Sequence, residues 1–334
     1  MRTVVILNPV AGKSLLAATQ EEHQSIEEEI GAALHIYDIE PEVWYTTLED
    51  PGDRLARKAA DEHVDLVIAA GGDGTIHAVG SGLIGGESTL GIIPLGTMNN
   101  LAHSLGIPSS VEAACAVLAG GQTRTIDVGQ INEQTFLEVA GIGFEASLFP
   151  AGEELKKTGL LSNVRGVLLG LVSLLTFKPT RLTISFDEKN MRPFDAIQVT
   201  ICNAPYYGVH FQVAPHILMD DGMFDVFIFR HMSSLEYLRY AISIIQGRPV
   251  FQPKILRCRV KTIRIASSGP LEIQADGMPI GQTPAVVKVM MGALRVRVPS
   301  AHVPGLKDDA TVEEGLLPSG SGRRQEKALS MHVA

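Results

Sequence analysis

Asp65-Leu-Val-Ile-Ala-Ala-Gly71-Gly72-Asp73-Gly74-Thr75-Ile-His-Ala-Val79 runs an apolar, strand-length segment straight into a glycine-rich turn and then a helical pattern. Glycines let backbone approach a ligand closely, and the free N–H groups at a helix start bind phosphate. An aspartate inside such a loop repels phosphate directly. Asp73 would therefore act through Mg²⁺, through water, or as a base towards an acceptor hydroxyl, which is the logic of phosphoryl transfer. The plain alternative is a tight strand-to-helix turn with no ligand, and GGDGT after a strand argues against it.

Working outward, the first third alternates short apolar runs with helical patterns. Strands are predicted at 3–7, 43–46, 65–70 and 89–94, and helices at 14–34, 53–62 and 111–118. That alternation reads as βαβαβ with parallel strands joined by helical crossovers. After Asp127 the pattern changes to short strands separated by turn residues, at 136–140, 181–186, 196–202, 224–229, 262–266, 271–274, 286–289 and 294–298, with helices at about 153–177 and 233–246. The expected architecture is an N-terminal α/β domain with a parallel sheet (1–128) and a C-terminal antiparallel β-sandwich (129–306). The segment 307–334, rich in Gly, Ser and charge, is expected to be a disordered tail.

Two neighbouring loops extend the first motif. Asn8-Pro9-Val10-Ala11-Gly12-Lys13-Ser14 follows the first strand, but a complete Walker loop would need glycine where Leu7 stands. By itself it reads equally as a phosphate loop or a capped turn. Pro94-Leu-Gly96-Thr97-Met98-Asn99-Asn100 follows the next strand, so adjacent strand ends carry polar glycine loops, the place where open α/β sheets bind ligands. Thr97 and Asn99 suit a base or ribose, or an Asx turn capping the next helix. Gly80-Ser-Gly82-Leu-Ile-Gly85 matches GxGxxG formally but lies at a helix exit rather than between strand and helix.

The 334 residues carry 28 basic and 37 acidic side chains, a net charge of -9, which argues against nucleic acid as a partner. With 45% hydrophobic and 19% charged residues the composition is that of a folded globular protein. Cys115, Cys202 and Cys258 fit no metal or disulfide spacing and read as buried thiols in a reducing compartment, the cytoplasm. The N-terminal apolar run is too brief for a signal peptide, and 159–177 is too interrupted to span a membrane. That segment has apolar residues at helical spacing, which packs a core or admits an acyl chain. His77 and the other nine histidines fit no ligand spacing; His77 is read as a helix-surface or core histidine.

The order NPxxGK, GGDGT, PxGTxN resembles the diacylglycerol kinase catalytic family of soluble bacterial lipid kinases, related to sphingosine and ceramide kinases. Asn203-Ala-Pro-Tyr-Tyr-Gly208, Asp220-Asp-Gly222-Met-Phe-Asp225 and Gln274-Ala-Asp276-Gly277 extend the resemblance over about 1–300. It implies that the α/β domain binds ATP and the β domain takes the lipid. Asn8, Pro9, Val10, Ala11, Gly12, Gly71, Gly72, Asp73, Gly74 and Thr75 would line the phosphates, with Thr47 and Thr97 as further nucleotide contacts. It also implies a structural Mg²⁺ on the Asp221 carboxylate and the carbonyls of Leu218 and Met223; read from the residues alone, that segment is equally a turn between strands. Two positions depart from the family pattern: Asn100 stands for Asp and Met278 for Glu. Methionine cannot accept a proton, so Asp276 is the candidate base, with Asp73 second.

The resulting expectation is an ATP- and Mg²⁺-dependent kinase for a hydroxyl of diacylglycerol or a related glycerolipid or sphingoid lipid, cytoplasmic and in transient contact with a membrane surface, with a homodimer left open. Two other readings stay open: an NAD kinase, which shares GGDG, and a nucleotide- or lipid-binding regulator that has lost phosphotransfer.

Overall fold

A computed structural model of the chain describes residues 1–11, 20–147, 180–207, 211–212, 217–230, 235–236, 239 and 255–300. The predicted helix at 153–177, most of that at 233–246 and the tail 307–334 lie outside the described residues, as do Gly12, Lys13 and Ser14.

The N-terminal part runs β1 (Thr3–Leu7), α1 (Gln20–His35), β2 (Glu42–Tyr45), α2 (Asp53–Asp61), β3 (Leu66–Gly71), α3 (Asp73–Leu83), β4 (Thr89–Pro94), α4 (Asn100–Ser104) and α5 (Val111–Gly120). Strands β2, β1, β3 and β4 lie side by side in that order, all parallel. Every residue of β1, β3 and β4 is buried, as expected of parallel strands covered by helices. The Gly80/Gly82 pair serves packing: a Cβ on Gly82 would stand 2.5 Å from Asp53 O and one on Gly80 2.9 Å from Leu137 Cδ1, so α3 lies close against α2 and the β region.

The rest is β-rich: β5 (Gln122–Ile131), β6 (Gln134–Phe136), β7 (Val139–Gly143), a helical turn α6 (Phe144–Ser147), β8 (Thr180–Phe186), β9 (Arg192–Cys202), β10 (Tyr206–Tyr207), β11 (Phe211–Gln212), β12 (Phe224–Arg230), β13 (Ile255–Val260), β14 (Thr262–Ser267), β15 (Glu272–Ala275), β16 (Met278–Gln282) and β17 (Ala285–Val298). These strands pair antiparallel in the order β16, β15, β7, β9, β8, β14, β17, with β12 and β13 branching from β9. β17 connects the two regions. Its first half pairs with β14, and its second half pairs parallel to β4 (Arg295 opposite Thr89) while β5 runs antiparallel along it. The fold is therefore a parallel α/β layer continued into an antiparallel, sandwich-like β region. Val4, Ile6, Ile68, Ile92 and Leu294 belong to one core cluster, and Phe136, Val199, Phe224 and Ile263 to another.

Several strand predictions need correction. Residues 286–289 and 294–298 form one strand with a register shift between Met290 and Leu294, because both halves pair with β5. β5, β13 and β16 were not expected: β5 opens on the largely exposed Gln122-Thr-Arg-Thr, β13 pairs with β12 alone among the described strands, and β16 presents mainly exposed residues. The run 136–140 is two strands. Leu137, Glu138 and Val139 turn their N–H groups onto the Asp276 carboxylate at 2.6, 3.0 and 2.8 Å, which interrupts the ladder. Cys115 and Cys202 are buried thiols as expected, whereas Cys258 is half-buried; none is bonded to another.

Candidate functional site

The GGDGT turn links two loops. Gly72 caps α3 in an extended conformation, and the Leu95 N–H donates to Gly71 O at 2.9 Å. A Cβ on Gly96 would lie 2.6 Å from Gly72 Cα, so the two glycine loops touch backbone to backbone, a contact only glycine permits. The Asp73 carboxylate crosses from α3 to the start of α4, accepting from the Asn99 N–H at 2.9 Å and the Asn100 N–H at 2.7 Å. Asn99 adopts a left-handed conformation (φ 51°) and its side chain binds Gly96 N–H and O, so it forms the turn itself.

A cavity of about 870 Å³ opens beside this turn. Asn8, Pro9 and Val10 after β1, Thr47 after β2, and Gly74 and Thr75 at the start of α3 all line it. Asn8 fixes the corner: its Nδ2 donates to Thr75 Oγ1 at 3.0 Å and its Oδ1 accepts from the Val10 N–H at 3.1 Å. Nothing lies within 4 Å of where a Cβ on Gly74 would stand, leaving an open cradle beside the first turn of α3. Backbone N–H groups at a helix start with open space beside them suit the phosphates of a nucleotide, and the three loop ends match the strand-end location of such ligands. Ala11, Gly71, Gly72, Asp73 and Thr97 do not line the cavity, and Thr97 is exposed.

The far wall comes from α3 and the β region: His77 and Ser81, Thr135 on β6, and Met278 on β16, which is 57% exposed. Behind it sits Asp276, whose side chain is only 7% exposed. Asp276 (φ 43°) and Gly277 (φ 82°) make the tight turn between β15 and β16 in the left-handed conformation that Asp-Gly favours. Its carboxylate takes the three N–H groups of 137–139 and also His77 Nδ1 at 2.8 Å. The chain of contacts continues from His77 Nε2 to Ser81 Oγ at 3.3 Å and from Ser81 to Thr135 Oγ1 at 3.1 Å. Burial pushes the His77 imidazole towards lower pKa, while the hydrogen bond and charge of Asp276 push it up, and the balance lies above the ordinary histidine value.

Glu138, buried beside Asp276, went unnoticed in the sequence. Burial, then the charges of Asp276 and Asp73, raise its pKa well above the ordinary glutamate value, against opposing hydrogen bonds from Leu101 N–H and the Asn100 side chain. Burial and these charges favour the protonated form of Glu138. The buried Asn100 Oδ1 has no partner among the described residues. A lone glutamate inside Phe136-Leu-Glu-Val-Ala140 was the available signal. For His77 the signal was its spacing, one helical turn after Asp73.

Asp221 bears on the expected cation. Its carboxylate is paired with Arg259 and accepts from the Met223 N–H at 3.1 Å, and Leu218 is half exposed. One carboxylate and two carbonyls are hard oxygen donors of the right kind, but the charge is already compensated by a guanidinium that a cation would have to displace. The set as folded does not fit a structural metal. Among the described residues no cluster of three or more His, Cys, Asp or Glu side chains is arranged to hold a metal, and no helix is long and apolar enough to cross a membrane.

A glycine-rich turn at the ends of parallel strands, walled by an antiparallel sheet, defines the class of fold, and similarity to known proteins narrows it. Residues 2–131 match the diacylglycerol kinase catalytic domain, and residues 142–298 match the YegS C-terminal NAD kinase beta sandwich-like domain. The chain is 29% identical over 312 residues to "Diacylglycerol kinase" of Bacillus subtilis, covering 92% of this chain and 99% of that protein. It is 30% identical to "Probable lipid kinase YegS-like" of Citrobacter koseri, covering 78% of this chain and 87% of that protein. A crystal structure of a diacylglycerol kinase from Bacillus anthracis superposes with a TM-score of 0.68 at 22% identity, over 90% of this chain and 97% of that one, and shows the same fold. The chain belongs to the diacylglycerol kinase catalytic family, among bacterial relatives named as lipid kinases.

Proposed function

We propose that this protein transfers the γ-phosphoryl group of Mg·ATP to a hydroxyl of diacylglycerol or a related glycerolipid or sphingoid lipid. The observation that carries the proposal is the cavity in which loops following three parallel strands meet the open start of α3, opposite a wall from the β region. The names of the relatives support a lipid acceptor. Asn8, Pro9, Val10, Thr47, Gly74 and Thr75 contact the nucleotide in this reading. Gly71, Gly72 and Asp73 form the turn that this loop makes, and Ala11, Gly12 and Thr97 are further nucleotide contacts in the same reading. Asp276 and Asp73 are its acidic groups. The nucleotide is held by 1–128 and the lipid by 129–306, on a cytoplasmic protein that touches the membrane surface transiently. Mg²⁺ enters with the nucleotide, and a second cation at Leu218, Asp221 and Met223 would require Arg259 to move aside.

The test is transfer of label from γ-labelled ATP to a panel of diacylglycerol, monoacylglycerol, ceramide, sphingosine, phosphatidylglycerol and NAD in mixed micelles. Labelled phosphatidic acid or another lipid phosphate is the expected product. Label in NADP alone would make the enzyme an NAD kinase, and ATP binding with no transfer to any acceptor would leave a regulator.

A further inference from the structure

A hydroxyl that attacks phosphorus must lose its proton, and the described groups around the cavity differ in their ability to take it. Met278 has no basic atom. Asp276 spends its carboxylate on three backbone N–H groups and a histidine, and Asp73 spends its own on two N–H groups of α4. Glu138 is buried and does not line the cavity. His77 does line it, with 24% of its side chain exposed. An ionised carboxylate only accepts hydrogen bonds, so the contact with Asp276 requires the proton on Nδ1 and leaves the lone pair on Nε2. The Nε2 atom is in contact with the Ser81 hydroxyl, itself on the cavity wall.

We propose that His77 Nε2 is the atom that receives the proton of the acceptor hydroxyl, with Asp276 as the residue that fixes its tautomer and orientation; this rests on the lipid kinase reading. The acceptor oxygen forms a bond to the γ-phosphorus as its O–H bond breaks and its proton passes to Nε2, directly or through Ser81 Oγ. The bond from phosphorus to the β,γ-bridging oxygen breaks, ADP leaves, and the imidazolium then returns its proton to water. Asp276 stabilises that imidazolium while remaining ionised, and Ser81, held by Thr135, aligns the proton path. The other charged groups around His77 are Asp73, one turn earlier on α3, Glu138, which feels the charges of Asp276 and Asp73, and Asp53, Arg57 and Glu133, which line the same cavity; Asp53 is paired with Arg57 at 3.3 Å.

The experiment measures kcat, KM and their pH profiles for the wild type, His77→Gln and Asp276→Asn on the best lipid of the panel, with calorimetry of ATP binding. Kcat of the wild type should fall as pH drops through the His77 ionisation. His77→Gln should lower kcat by about 10²–10⁴ with ATP affinity kept, and should lose that acidic limb. Asp276→Asn should move the limb to lower pH, because the group that raises the imidazole is gone. Retention of kcat within about threefold in His77→Gln, a wild-type kcat that falls as pH rises through this ionisation, or a limb lost in Glu133→Gln instead would overturn the assignment. If His77→Gln does not fold, an NMR titration of His77 in the wild type replaces it: agreement with the kinetic ionisation supports the role, and disagreement overturns it. A wild type that transfers to no lipid removes the lipid kinase reading itself, whereas an active His77→Gln removes only this step.

Discussion

Asp276→Ala probes how one carboxylate organises the wall of the site. The side chain accepts from Leu137, Glu138 and Val139 N–H groups in a region where those residues are buried, so its removal leaves three buried donors. A buried donor left without a partner costs about 1–3 kcal/mol, giving about 3 kcal/mol at the low end of the range. Asp276→Asn keeps one acceptor oxygen and should cost about half as much. Urea unfolding followed by circular dichroism, with m-values compared, measures both. A loss below about 1 kcal/mol in Asp276→Ala at unchanged m would refute the reasoning, because the three donors would then have partners without the carboxylate.

The glycine loops separate by role: Gly96→Ala forces a methyl onto Gly72 and should cost about 1–3 kcal/mol, whereas Gly74→Ala should fold at least as well, yet weaken Mg·ATP binding in calorimetry because its methyl enters the cavity. Glu138 and His77 both have raised pKa values, so the native state holds protons that the unfolded chain releases: stability is full below the unfolded values and declines as pH rises through the folded ones. Glu138→Gln should flatten the part of that decline that begins in the ordinary carboxylate range, and unfolding curves collected across pH would show an unchanged slope if Glu138 were ionised. With Asp221 compensated by Arg259, Tm should be the same in EDTA and in Mg²⁺ without nucleotide, and a rise with Mg²⁺ would place a cation at the turn.

The parallel layer was legible in the sequence because each of its elements carries its own local signal. The 65–75 segment and its neighbours switch between apolar runs and helical periodicity within short stretches, and glycine at 71, 72, 74 and 96 marks where backbone must turn or touch. The β region was read less completely. Strands such as β5 and β13 are held by partners distant in sequence, and their exposed residues leave no two-residue alternation to detect. The site divides in the same way. The loops at 8–12, 71–75 and 94–100 could be named because loop chemistry is local. Only the tertiary structure decided that Asp276, 199 residues from His77, would meet its imidazole and bend the chain at 137–139, that Glu138 would be buried beside two acids, and that Arg259 would claim Asp221. Protonation and hydrogen-bond partnership depend on what surrounds a side chain in space, and a histidine on α3 becomes a candidate base only when the pairing of β15 with β7 sets the turn after β15 against it.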